Sequence, residues 1–164
     1  MDDNDQNLKN RLSSLRIILA LMMLGIIAFT AMSQVFPIKA DASSEKTMSI
    51  VTGIMALAGL SGYFVMRMIL LSSARSKLDR DDPESAKDLS LQTYFTIALL
   101  GSAMAEGVGI LGIVSAMITG QQMLLIVPVA AILAIAPQFP TVNGFARCYQ
   151  SITGNPLPSS DWPR

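Results

Sequence analysis

Four apolar runs, at 17–36, 48–71, 94–119 and 123–139, fill most of this 164-residue chain and leave it few ways to fold. A helix needs about 20 apolar residues, within a range of about 17–25, to cross a hydrocarbon core about 30 Å thick. The first three runs meet that length comfortably; the fourth, which carries Pro128, only just reaches it. Proline is tolerated in such a helix where neighbours satisfy the carbonyl it frees. Hydrophobic residues make up 51% of the chain and charged residues 15%, against about 25% charged in an ordinary soluble domain, and mean hydropathy is +0.48. The expected fold is an all-α integral membrane protein, a small bundle of four transmembrane helices, with the lipid bilayer as its first partner.

Orientation follows from the basic residues. Lys9, Arg11 and Arg16 precede the first run; Arg75, Lys77, Arg80 and Lys87 lie between the second and third; Arg147 and Arg164 follow the fourth. Only Lys39 and Lys46 stand between the first and second runs. An excess of Lys and Arg marks the cytoplasmic side, so both termini and the middle loop are expected inside, as in a bacterial inner membrane. The formal net charge of zero hides this sidedness and gives no reason to expect a nucleic-acid partner. The first run also has a basic flank and a small-residue Ala31-Met32-Ser33 stretch, but it exceeds the roughly 7–15 apolar residues of a signal peptide. Its removal would leave three spans and the same orientation for the rest.

Little chain remains outside the runs. Residues 1–16, with their acidic start at Asp2, Asp3 and Asp5, read as a solvated cytoplasmic tail, and 140–164, with Pro156, Pro158 and Pro163, as an irregular one. The middle loop 72–93 reads as a solvated linker, or as a short helix that Asp82 starts with Pro83 in its first turn. Gly120, Gln121 and Gln122 alone join the last two runs, which calls for a tight antiparallel hairpin.

Several chemistries lack their residues. The chain has no histidine and one cysteine, Cys148, which reads as a structural thiol. No phosphate-binding glycine loop or metal-spaced carboxylate cluster is present, so the expectation is a protein that is not an enzyme and uses no cofactor and no metal. The eleven methionines, spread over all the runs, read as adaptable packing.

The functional lead is Glu106. Eleven of the twelve acidic residues sit in polar segments, and Glu106 stands alone inside the third run. A charged group at the centre of a membrane costs at least a few kcal/mol, so it normally faces protein or a wet pathway. Ala98, Ser102, Ala105, Gly109, Gly112 and Ala116 share one helical stripe whose edge Glu106 occupies, and Gly101, Ala105 and Gly109 repeat at intervals of four, the spacing that lets membrane helices approach closely. At matching depth the second run offers Gly53, Ala56, Gly59 and Gly62, so Glu106 is expected, buried, at a contact of helices two and three. Arg67 lies nearer the cytoplasmic end and is expected to reach the headgroups rather than Glu106. Tyr63 shares the Gly59 face and points toward a neighbouring helix or the interface.

The stretch Ala103-Met104-Ala105-Glu106-Gly107-Val108-Gly109-Ile110-Leu111-Gly112 resembles the carboxylate helix of the c subunits, or proteolipids, of rotary ATP synthases and vacuolar ATPases. The resemblance covers that helix well and the glycine-bearing second helix loosely. It implies reversible protonation or sodium binding at Glu106. The regular glycine repeat and the Arg-Gln-Pro or Arg-Asn-Pro loop of ring-forming subunits are absent, so the reading is a c-subunit-like membrane protein rather than a rotor subunit. The leading expectation is thus a multi-pass protein in which Glu106 takes a proton or cation, alone, as a homo-oligomer or with a membrane-protein partner. The alternative is a structural or assembly protein in which a neutral Glu106 hydrogen-bonds between helices. A buried carboxyl tends to be neutral, which suits both.

Overall fold

The computed structural model describes residues 3–35, 42–78 and 82–157; Lys39, Arg80 and Arg164, which enter the orientation argument, and Asp2, Pro158 and Pro163 lie outside them. The described residues form helices joined by short turns, with no strand among them: α1 (Asp3–Val35), α2 (Ala42–Lys77), α3 (Pro83–Thr119), α4 (Ile126–Ile135) and α5 (Val142–Thr153), with short 3-10 turns at Gln122–Leu125 and Ala136–Gln138 flanking α4. Three helices are long and apolar enough to cross a membrane, or four if Gln122–Gln138 and Val142–Thr153, bent by 73° at their junction, count as one.

Each long helix extends past its apolar run. The acidic start, expected as a tail, is helical from Asp3. Once an apolar segment has nucleated a helix, each added residue gains a hydrogen bond at little further cost, so polar flanks continue it. The middle loop shrinks in the same way from both sides. Asp82 accepts the backbone N–H groups of Glu84 (3.0 Å) and Ser85 (3.2 Å) at Oδ1, and Pro83 opens α3, where a missing N–H costs nothing. The start signal at Asp82 therefore opens the third helix itself, not a separate short one.

The fourth run is α-helical only over Ile126–Ile135. Its 3-10 ends rise about 2.0 Å per residue against about 1.5 Å in an α-helix. The whole stretch then measures roughly 29 Å, which matches a core about 30 Å thick. The tail beyond it corrects the expectation of an irregular segment. Thr141 caps α5, its Oγ1 accepting the Gly144 N–H at 3.0 Å. Gly154, at φ +78°, ends the helix in the left-handed conformation that glycine adopts without a Cβ clash. Phe145, Cys148, Tyr149 and Ile152 lie on one buried face.

The chain divides into two compact units. One comprises Leu19–Tyr63 and Gly101–Gln138, and α3 is its axis. Against α3, α2 runs antiparallel: Ser49 bonds Gln121, Thr52 bonds Ser115, and Gly59 and Gly62 meet Val108 and Met104. The chain reverses at Gly120, φ +70°, whose N–H bonds the Ala116 carbonyl at 2.8 Å. From there α4 also descends antiparallel, with Val127 and Pro128 on Gly112, Ala131 on Gly109 and Gln138 on Ser102. On another side α1 runs parallel to α3, Gly25 beside Glu106 and Ile26 beside Gly109. The other unit comprises Met1–Ile18, Phe64–Leu100 and Phe139–Arg164. Its core is the apolar face of α5: Phe145 and Tyr149 pack with Leu12, Leu91 and Leu157, and Cys148 and Ile152 with Ala74, Leu71 and Leu89. Tyr94 meets Phe145 edge to face at 6.2 Å.

Candidate functional site: the surroundings of Glu106

Glu106 lies in the part of α3 that belongs to the first of these units, five residues past Gly101, and its neighbours along α3 determine what can approach it. Ser102, one turn earlier, is fully buried and donates to Gln138 Oε1 at 3.1 Å. Met104 and Val108, two residues to either side, face α2. Gly109 faces α4 and α1. Ala103 and Gly107 are exposed, and a Cβ built on Gly107 would meet nothing within 4 Å. Glu106 therefore sits between the α1 contact and an open face of α3.

Two expectations change here. The carboxyl is half-buried, not buried. It also points to α1 rather than α2: a Cβ built on Gly25 would stand 3.6 Å from Glu106 Oε1, so glycine at 25 keeps α1 free of a side chain beside the carboxyl. Gly59 and Gly62 of the α2 zone expected to face it meet Val108 and Met104 instead. Among the described residues no hydrogen bond or ion pair reaches the Glu106 carboxyl, and no three acidic or cysteine side chains gather into a metal-sized group.

The small residues divide by neighbour. A Cβ on Gly59 would come 2.8 Å from Val108 Cγ2, on Gly62 2.8 Å from Met104 Cε, on Gly101 2.5 Å from the Tyr63 ring, on Gly109 3.0 Å from Ala131 Cβ and on Gly112 2.6 Å from Val127 Cβ. Ala56 and Ala105 are half-buried. Gly53 departs from the expectation, since a Cβ there would meet nothing within 4 Å. Spacing alone placed it in the contact, but it lies on the exposed side of its turn, whose neighbour Thr52 makes the contact with α3.

Sequence reading passed over Gly25, Gln138 and the Thr52–Ser115 pair. The two hydroxyls are each 1% exposed and 2.6 Å apart. Their signal was available, because single hydroxyls inside apolar runs need a partner, but the partner's identity depends on helix register. Gly25 is the lone glycine of its run. A cavity of about 180 Å³ opens where α1 and α3 end, lined by Ser33, Gln34, Ala116, Met117, Gly120, Gln122 and Leu125. Glu106 does not line it, and its walls carry no charge. No protein-family model matches this chain, and no curated protein or solved structure is similar to it.

Proposed function

We propose that this chain is a small multi-pass membrane protein, c-subunit-like in its carboxylate helix, in which the Glu106 carboxyl exchanges a proton or a monovalent cation. It is a bilayer-embedded binding element rather than an enzyme, with both termini and the segment between α2 and α3 cytoplasmic in a bacterial inner membrane. The membrane assignment is supported by exposed large apolar side chains along the face of α2 turned away from α3, among them Ile50, Leu57, Phe64 and Met68, and along one face of α4 and the turn before it at Met123, Ile126, Val129 and Leu133. So much contiguous apolar surface is unusual on a soluble monomer.

One observation carries the functional part: a half-buried carboxyl in mid-helix, beside Gly25, that no hydrogen bond or ion pair reaches among the described residues. At mid-bilayer an ionised carboxylate in that state bears a penalty of at least a few kcal/mol, which a proton or a bound cation removes. The structural alternative needs a donor or acceptor across the helix contact, and none stands at Glu106 among the described residues.

The test uses a hydrophobic carbodiimide, which modifies protonated carboxyls in apolar settings. Wild-type protein should be labelled at Glu106, less as pH rises and less when sodium is added if sodium competes, while Glu106→Gln should fold and stay unlabelled. Folded wild type whose labelling ignores both pH and sodium would reduce Glu106 to a structural residue.

A further inference from the structure

Four arginines surround the seam between α2 and α5, and they differ in what they touch. Arg16 donates through Nε to the Pro140 carbonyl at 3.1 Å, and Arg75 through Nε to the Ser151 carbonyl at 2.7 Å. These two are committed to backbone, one just before α5 and one in its last turn. Arg67 and Arg147 are exposed, and among the described residues neither guanidinium has a hydrogen-bond or ion-pair partner.

The two unspent arginines both neighbour Cys148, Arg67 across the seam and Arg147 in sequence. Arg67 continues the stripe of α2 that packs on α5: Leu71 and Ala74, four and seven residues on, lie against Cys148 and Ile152. Arg67 is close enough to Cys148 for its charge to favour the thiolate there. Arg147 precedes Cys148 and lies one helical turn before Ser151, whose carbonyl Arg75 of α2 holds. Each arginine thus precedes the Arg75–Ser151 contact by one or two helical turns. Around Arg67 the surface is apolar and exposed, at Phe64 (54%), Val65 (56%), Met68 (72%) and Ile69 (52%). A cation in such a belt has only headgroups to reach for, because acyl chains offer no counter-charge.

We propose that Arg67 and Arg147 form a binding site for the headgroup of an anionic phospholipid at the α2–α5 seam. The site rests on the membrane reading above but not on any role of Glu106. The acyl chains lie along the apolar face of α2, and the phosphodiester, with its net charge, bridges the two guanidinium groups through charge-assisted hydrogen bonds, the geometry for which arginine is suited. Its expected consequence is tethering of α5, which carries the core of its unit, to the lipid.

The full chain is reconstituted in phosphatidylcholine nanodiscs with increasing phosphatidylglycerol, and its thermal midpoint is read by intrinsic fluorescence. Wild type should rise saturably by about 4–8 °C for two such contacts, and the rise should shrink in high salt. Arg67→Gln/Arg147→Gln should lose the rise, and Arg67→Lys/Arg147→Lys should keep most of it. The proposal is overturned if wild type melts alike in both lipids, if the Gln double variant responds as wild type does, or if inorganic phosphate added to phosphatidylcholine discs gives the same shift. Should the Gln variant not fold, the wild-type titration and the Lys variant decide alone. Failure of the membrane reading would show separately, as release of the protein from membranes by alkaline carbonate.

Discussion

Glycine at position 25 is the residue on which access to Glu106 turns. A methyl group there would stand 3.6 Å from Oε1, an ordinary van der Waals contact, whereas a branched side chain would lie across the carboxyl. Gly25→Ala should therefore leave carbodiimide labelling of Glu106 near wild type, and Gly25→Leu should slow it several-fold in folded protein; equal rates would place the open side of the carboxyl elsewhere. Cys148 poses the opposite case, a group shut off by packing. Burial pushes its thiol up from about 9 to about 11, against the pull of Arg67. A raised folded value means that the folded state holds its proton more tightly than the unfolded state does. The contribution to stability is present in full below pH about 9 and is lost as pH rises through about 11. Cys148→Ala should remove that decline, and the wild-type thiol should stay unreactive to maleimide at pH 7.5 until the protein is denatured. Comparable wild-type and variant slopes of midpoint against pH between 9 and 11 would refute this.

At the level of elements, close approach to α3 is what the glycines provide, and they do so unequally. A leucine at 109 must displace Ala131, whose Cβ already lies 3.0 Å from an added Cβ, and overpacking of this kind costs about 1–3 kcal/mol. At 53 the same change meets open space and replaces a poor helix former with a good one. Gly109→Leu should lose folded protein in mild detergent while Gly53→Leu holds or gains it, as read by size-exclusion recovery after heating. Similar losses for the two would mean that α3 and α4 do not pack as described. Small-residue spacing identifies a helix able to make a close contact, but not which of its small residues lie on the side that does. Gly53 and Gly59 look alike in the chain, and only Gly59 has a neighbour, Val108.

At the level of the whole molecule the question is sidedness. Ten of the twelve basic residues fall on one side of the proposed membrane when Arg67 is counted with them. In a Cys148→Ser background, a cysteine at exposed Thr47 should react with an impermeant thiol reagent added to intact cells, and one at exposed Ser85 should react only after permeabilisation. The reverse pattern would invert the topology and, with it, the side from which Glu106 is reached.

The all-α class, a helix-start signal at Asp82, the reversal at Gly120 and the isolation of Glu106 among the acidic residues were legible in the sequence, whereas α3 itself was expected to begin only at 94. Each depends on groups a few residues apart: runs of apolar side chains, a capping carboxylate, a glycine after a helix. Tertiary structure alone decided that α5 forms at 142–153, since a short helix with Gly144 inside it gains most of its stability from burying Phe145, Cys148, Tyr149 and Ile152. It also decided that Glu106 turns to α1 and that Thr52 finds Ser115. A stripe of glycine and alanine fits several helices almost equally well, so the choice of partner and register is made by the sum of contacts over the unit, a quantity that no local stretch of sequence contains.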